Sequence, residues 1–135
     1  MTYSIFNKTK VPLLSRALDA YSLRHKAIAS NIANVGTSGY QPQTVKFEEE
    51  LSEALRANGM AMSGASPQEE QNLPRPKLES ADDSTARGEL FSGTNEVDID
   101  HEMAQLAQNQ IRFRYAAKLL GETFRGLQKS IRGTV

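Results

Sequence analysis

Cysteine is absent from the 135 residues, which removes disulfides, thiolate metal sites and thiol nucleophiles together. Tryptophan is absent too, and aromatics make up 7% of the chain. That is thin provision for a broad globular core, though enough for a helix–helix seam. Neither sign of charge prevails, since sixteen basic and sixteen acidic residues cancel. No net field therefore draws the chain toward nucleic acid or anionic lipid. Long apolar runs are missing as well. Residues Met1 to Lys10 are polar and hold no signal-peptide core, and no segment approaches the length of a membrane span. Any export must then read something other than a cleaved hydrophobic signal.

What is present is hydrophobic spacing at the two ends. Val11, Leu14, Leu18, Tyr21, His25, Ile28, Ile32 and Val35 alternate at intervals of three and four, a heptad seam with one polar occupant at His25. With Pro12 suited to a first turn, a helix is expected from about Pro12 to Asn34, ended by Gly36 and Gly39. The C-terminal third repeats the pattern through Ile99, Met103, Leu106, Gln110, Phe113, Ala117, Leu120, Phe124, Leu127 and Ile131. Asp98 is an N-cap, Asp100 and Glu102 favour the positive end of the helix dipole, and Lys129 and Arg132 favour the other end before Gly133. Gly121 and Gly126 inside this helix would each cost about 1 kcal/mol relative to Ala, unless they admit a neighbouring chain. The fold class is mainly α: terminal helices paired as a coiled coil around a polar, irregular middle, with room there for a short helix or a β-hairpin.

Five regions follow: 1–10 without fixed structure, 11–35 the first helix, 36–57 a turn and short amphipathic helix, 58–96 a flexible loop, and 97–135 the second helix. Phe47, Leu51 and Leu55 give the short helix its apolar side. From Asn58 to Asn95 the chain is rich in Gly and Pro and poor in large apolar residues, so it cannot fold alone. A short strand near Glu89 to Ser92 has some local support.

No catalytic constellation emerges. His25 and His101 lie on different helices, and the run Glu48 to Glu50 is expected to be a solvated helix face rather than paired acid–base carboxylates. Arg112, Arg114 and Lys118, interleaved with Phe113 and Tyr115, fit the outside of a helix better than a nucleic-acid surface. No phosphate-binding glycine motif occurs. Catalytic residues, metal ligands and cofactors are therefore all expected to be none. One local motif stands out, SNIANVGTSGY from Ser30 to Tyr40, where Asn31 and Asn34 can hold a turn that redirects the chain and Tyr40 can anchor its exit.

That motif resembles the N-terminal signature of the flagellar axial family of rod, hook and hook-associated proteins, with Asn31, Ala33, Asn34, Thr37, Gly39 and Tyr40 in the recurring places. QTVKFEEEL, Gln43 to Leu51, and the segment beginning GTNEVDIDHEM are similar to the proximal rod members of that family. Gly93, Asn95, Val97, Asp98, Asp100, Glu102, Met103, Ala107 and Asn109 fit their pattern. The chain departs from the family where an acidic–Thr–Pro turn with a following basic residue is usual, having Gly36, Thr37, Ser38 and Gln41 instead.

The resemblance implies a non-enzymatic structural subunit of the basal-body rod. It would be exported by the flagellar type III apparatus without cleavage and would link the membrane ring and export gate to the rest of the rod. Its implied partners are further copies of itself, FlgC- and FlgF-like rod proteins, a FliE-like ring–rod junction protein, the membrane ring and the export gate, with no nucleic acid or small-molecule substrate. Ile5 and Phe6 are candidate export or gate contacts, and the outer helix faces and the 30–47 segment would meet neighbours. A coiled-coil adaptor or secretion chaperone would share the helices but would not need the turn motif.

Overall fold

The protein is described by a computed structural model covering residues 10–57, 75–80 and 97–133. The elements in chain order are α1 (Val11–Ala33), β1 (Gln43–Thr44), α2 (Glu48–Ala57), β2 (Glu79–Ser80) and α3 (Ile99–Arg132). The expected strand at Glu89 to Ser92 and the segment from 1 to 9 lie outside the described residues.

Local chemistry sets the helix ends. Pro12 sits in the first turn of α1, where its missing N–H is no loss. At its far end α1 is capped by Asn34, whose side-chain Nδ2 and backbone N–H both donate to the Ser30 carbonyl, at 2.8 and 3.1 Å. Gly36 and Gly39 do not end α1, contrary to expectation, since the cap is Asn34 at φ −104° and ψ 12°. Gly39 instead takes the left-handed φ of 74° in the following turn, where Tyr40 N donates to the Thr37 carbonyl. At α3 the Asp98 carboxylate accepts from the backbone N–H of Asp100 at 2.9 Å, and Gly133 closes the far end at φ 66°. A 34-residue α3 is about 50 Å long.

The two long helices pack against each other, antiparallel. The Asn31 side chain bonds to Glu102, and the Tyr21 carbonyl accepts from Asn109, so α1 is descended as α3 is climbed. Extrapolated, this register brings the start of α1 level with about Leu119 to Glu122, and the last turns of α3 project beyond it. The segment after the turn folds back over α1. Val45 and Phe47 sit on Ala20 and Ala27, with Ala17, Leu23 and Leu51 packed around them. Small residues on α1 let this segment approach closely. β1 also pairs antiparallel with β2, Gln43 against Ser80 and Thr44 against Glu79, which ties part of the 58–96 region to the helices.

The seams are rotated from their expected positions. On α3 the buried line is Glu102, Asn109 and Ala116, one residue in every seven. Leu106, Leu120 and Leu127 flank it half-buried, but Met103 is 53% exposed, Phe113 39%, Phe124 45% and Ile131 81%. Ile99 is also exposed. Met103 and Ile131 are therefore not part of the seam within the subunit. The true line is turned by about 60° from the apolar stripe.

On α1, Ile28 is buried, and Val11, Leu14, Leu18, Tyr21 and Ile32 are half-buried, but His25 is exposed rather than packed. The physical cause is shared. Each helix buries the line where its partners come closest, and that line holds Ala and Asn. A reading by apolar bulk selects the flank.

Phe47, 1% exposed, is the largest side chain in this small core. Phe47→Ala is expected to destabilise the chain by about 3 kcal/mol, measured as a lower urea midpoint at unchanged slope.

Candidate functional site

The SNIANVGTSGY motif folds into an interlock centred on Asn31, which is 1% exposed. Its Oδ1 accepts from the Gln43 backbone N–H at 2.8 Å and from the Tyr40 hydroxyl at 3.1 Å. Its Nδ2 donates to the Gln43 carbonyl at 3.0 Å and to Glu102 Oε1 at 3.1 Å. A carboxamide has two donors and two acceptor lone pairs, and all four are used. Pairing with both the N–H and the C=O of Gln43 lets one side chain do what a neighbouring strand would do for β1. With its proton given to Asn31, the Tyr40 oxygen accepts from Ser30 Oγ at 3.0 Å. Thr37 Oγ1 donates to Asn34 Oδ1 at 3.3 Å, holding the turn between. Asn31, Asn34, Thr37, Gly39 and Tyr40 are thus brought into one unit. Ala33 is exposed at its edge.

Two further polar anchors bind the elements together. Asn109, 3% exposed, donates from Nδ2 to the Tyr21 carbonyl at 2.9 Å. Glu48, the first residue of α2, receives Arg24 from α1 through both of its oxygens, and Arg112 from α3 on Oε1 at 2.8 Å. Arg24 also donates to the Val45 carbonyl at 2.7 Å and lies 5.9 Å from the centre of the Tyr21 ring. One carboxylate therefore ties α1, α2 and α3 at a point. Burial pushes the Glu48 carboxyl up, but the Arg24 hydrogen bond, a backbone hydrogen bond and the charges of Arg24 and Arg112 more than offset this and hold it below the usual carboxylate range. Pairing with Glu48 likewise raises the Arg24 guanidinium against its desolvation.

Glu102, Asn109 and the Arg24–Glu48–Arg112 cluster were not identified as packing residues by hydrophobic spacing. The seven-residue interval from Glu102 through Asn109 to Ala116 was the available signal. Ile5 and Phe6 lie outside the described residues. Among the described residues no group of three or more His, Asp or Glu side chains could hold a metal ion, and no helix is long and apolar enough to cross a membrane.

The SNIANVGTSGY motif lies within the stretch that matches a family model, "Flagella basal body rod protein", over residues 14–41. A helix pair closed by this motif places the chain among flagellar rod proteins. The flagellar basal body rod protein FlgB of Borrelia hermsii is 34% identical over 126 residues, covering 87% of this chain and 91% of that protein. FlgB of Salmonella typhimurium is 28% identical with coverages of 87% and 88%, and FlgB of Bacillus subtilis 28% with 96% and 98%. The chain belongs to the FlgB family of flagellar basal body rod proteins, a structural family and not a class of enzymes.

Removing the Asn31 amide orphans both backbone groups of Gln43 and the Glu102 carboxylate. Asn31→Ala is expected to cost about 3 kcal/mol and Tyr40→Phe only about 1 kcal/mol, read from urea unfolding. The Glu48 pairing should be fully present above the ordinary carboxylate pKa and lost as pH falls through the lower folded value. The acid limb of a pH–stability curve should accordingly be steeper for the wild type than for Glu48→Gln.

Proposed function

We propose that this chain is a structural subunit of the proximal rod, joining the membrane ring and export gate to the rest of the rod and passing torque along it. The observation that carries this reading is the apolar strip of α3 that the helix pair leaves uncovered. Met103 is 53% exposed, Phe113 39% and Ile131 81%, on a helix that outruns its partner. Covering one such side chain is worth about 1.5–3 kcal/mol, and rod neighbours would supply the cover. Further copies, FlgC- and FlgF-like rod proteins and a FliE-like junction protein are the partners this reading assigns to the strip. Among the described residues a side chain at Gly121 or Gly126 would meet nothing within 4 Å, which suits an adjacent helix packing there. The interlock plays a different part, fixing the subunit's own shape so that a periodic wall can form. Uncleaved export by the flagellar type III apparatus, with Ile5 and Phe6 as gate contacts, completes the reading.

Electron cryotomography of cells lacking the gene should find membrane rings with no rod above them, restored on complementation. A complete rod in the deletion strain overturns the reading. Complementation with Met103→Glu, Ile131→Glu should give soluble, helical protein by circular dichroism but no rod. Normal rods in that strain would release the strip from this role.

A further inference from the structure

The chain's net charge of zero conceals a separation. Arg114, Lys118, Arg125, Lys129 and Arg132 stand at i, i+4, i+11, i+15 and i+18 on α3, all exposed. At 100° per residue they fall within about 60° of one another, a stripe about 27 Å long. That stripe lies roughly opposite the Glu102, Asn109 and Ala116 line, with Arg114 at the edge of a groove shared with Tyr21, Ser22 and His25 of α1. The complementary charge is on α2, whose first turn carries Glu48, Glu49 and Glu50, followed by Glu53. Only Glu48 of these reaches α3, at Arg112. Glu49 and Glu53, one turn apart, are exposed. Among the described residues no ion pair engages them or the five basic residues of the stripe.

We infer that the basic stripe of α3 is a docking surface for the acidic face of α2 on a second copy of the chain. This rests on the rod-subunit reading and deepens it by naming the contact. The occupant follows from charge complementarity. Opposite charge is available in the same sequence, in the same helical form, and Glu48 with Arg112 already joins the two elements inside one subunit. The stripe starts at Arg114 and runs away from α2, beyond what that short helix can reach in its own chain. Where each copy uses the two patches toward different neighbours, the contact is heterologous and propagates from copy to copy.

The test is sedimentation equilibrium of the purified full chain at low and high salt. The wild type should self-associate at low salt, and added salt should weaken the association. Lys118→Glu, Arg125→Glu and, separately, Glu49→Lys, Glu53→Lys should each weaken it by about tenfold or more. Combining all four reversals should bring it back toward the wild-type value, an outcome that misfolding of either parent could not produce. Far-ultraviolet circular dichroism checks that each variant stays helical.

A wild type that stays monomeric at its highest soluble concentration in low salt overturns the inference. So does an association unaffected by the reversals, or a combined variant no better than its parents. Self-association lost only with Met103→Glu, Ile131→Glu would place the contact on the apolar strip instead. Binding of the stripe to anionic vesicles without self-association would assign it to a lipid surface. A cell that still lacks a rod without this gene would keep the rod-subunit reading in every one of these cases.

Discussion

A buried carboxamide that loses no hydrogen bond on leaving water is the constraint from which the arrangement follows. Burying an amide unpaired would cost more than a typical single contact returns. Asn31 avoids the cost only if Gln43, Tyr40 and Glu102 all arrive at fixed positions. Gln43 fixes the return of the chain after the turn. Tyr40 fixes the turn, with Ser30 behind it. Glu102 fixes where the first turns of α3 lie along α1. A turn, a strand and a helix from opposite ends of the sequence are therefore satisfied together or not at all.

The rest of the helix pair is held in a similar way, by few and partly polar contacts. Asn109 reads a backbone carbonyl of α1, and Glu48 is held between two arginines. Such contacts specify register better than they supply free energy, because polar groups taken from water gain little net on pairing. The apolar contribution comes from a small cluster about Phe47 on an alanine floor. Large apolar side chains that might have enlarged it, Met103, Phe113 and Ile131 among them, lie outward on α3. A subunit built this way is given a defined shape by its polar contacts and keeps apolar area for association.

Charge is distributed on the same plan. Acid gathers on α2 and the first turn of α3, while base runs along the rest of α3 opposite its seam. A neutral total leaves no net repulsion between copies, and in the docking proposed above the separation would give them an orientation. Apolar area is indifferent to direction, whereas opposed charges at fixed spacing reject a reversed partner. Both kinds of surface on one helix suit a protein that must join others in a single sense along an axis.

The sequence by itself determined the helices and, apart from the residue that caps α1, their ends. α3 runs from Ile99 to Arg132 as expected, and α1 is displaced by one residue, because caps, dipole charges and proline act through neighbours in the chain. It also marked SNIANVGTSGY as the motif worth following. Tertiary structure decided which side of each helix is buried, what Asn31 holds, and that Glu48 would meet both Arg24 and Arg112. Those outcomes depend on residues up to 88 positions apart, Tyr21 and Asn109 being the example. Hydrophobic period reports a helix and its richer side, but the line of closest approach belongs to whichever side chains two helices can both accommodate. Here small and polar residues met that condition better than large apolar ones.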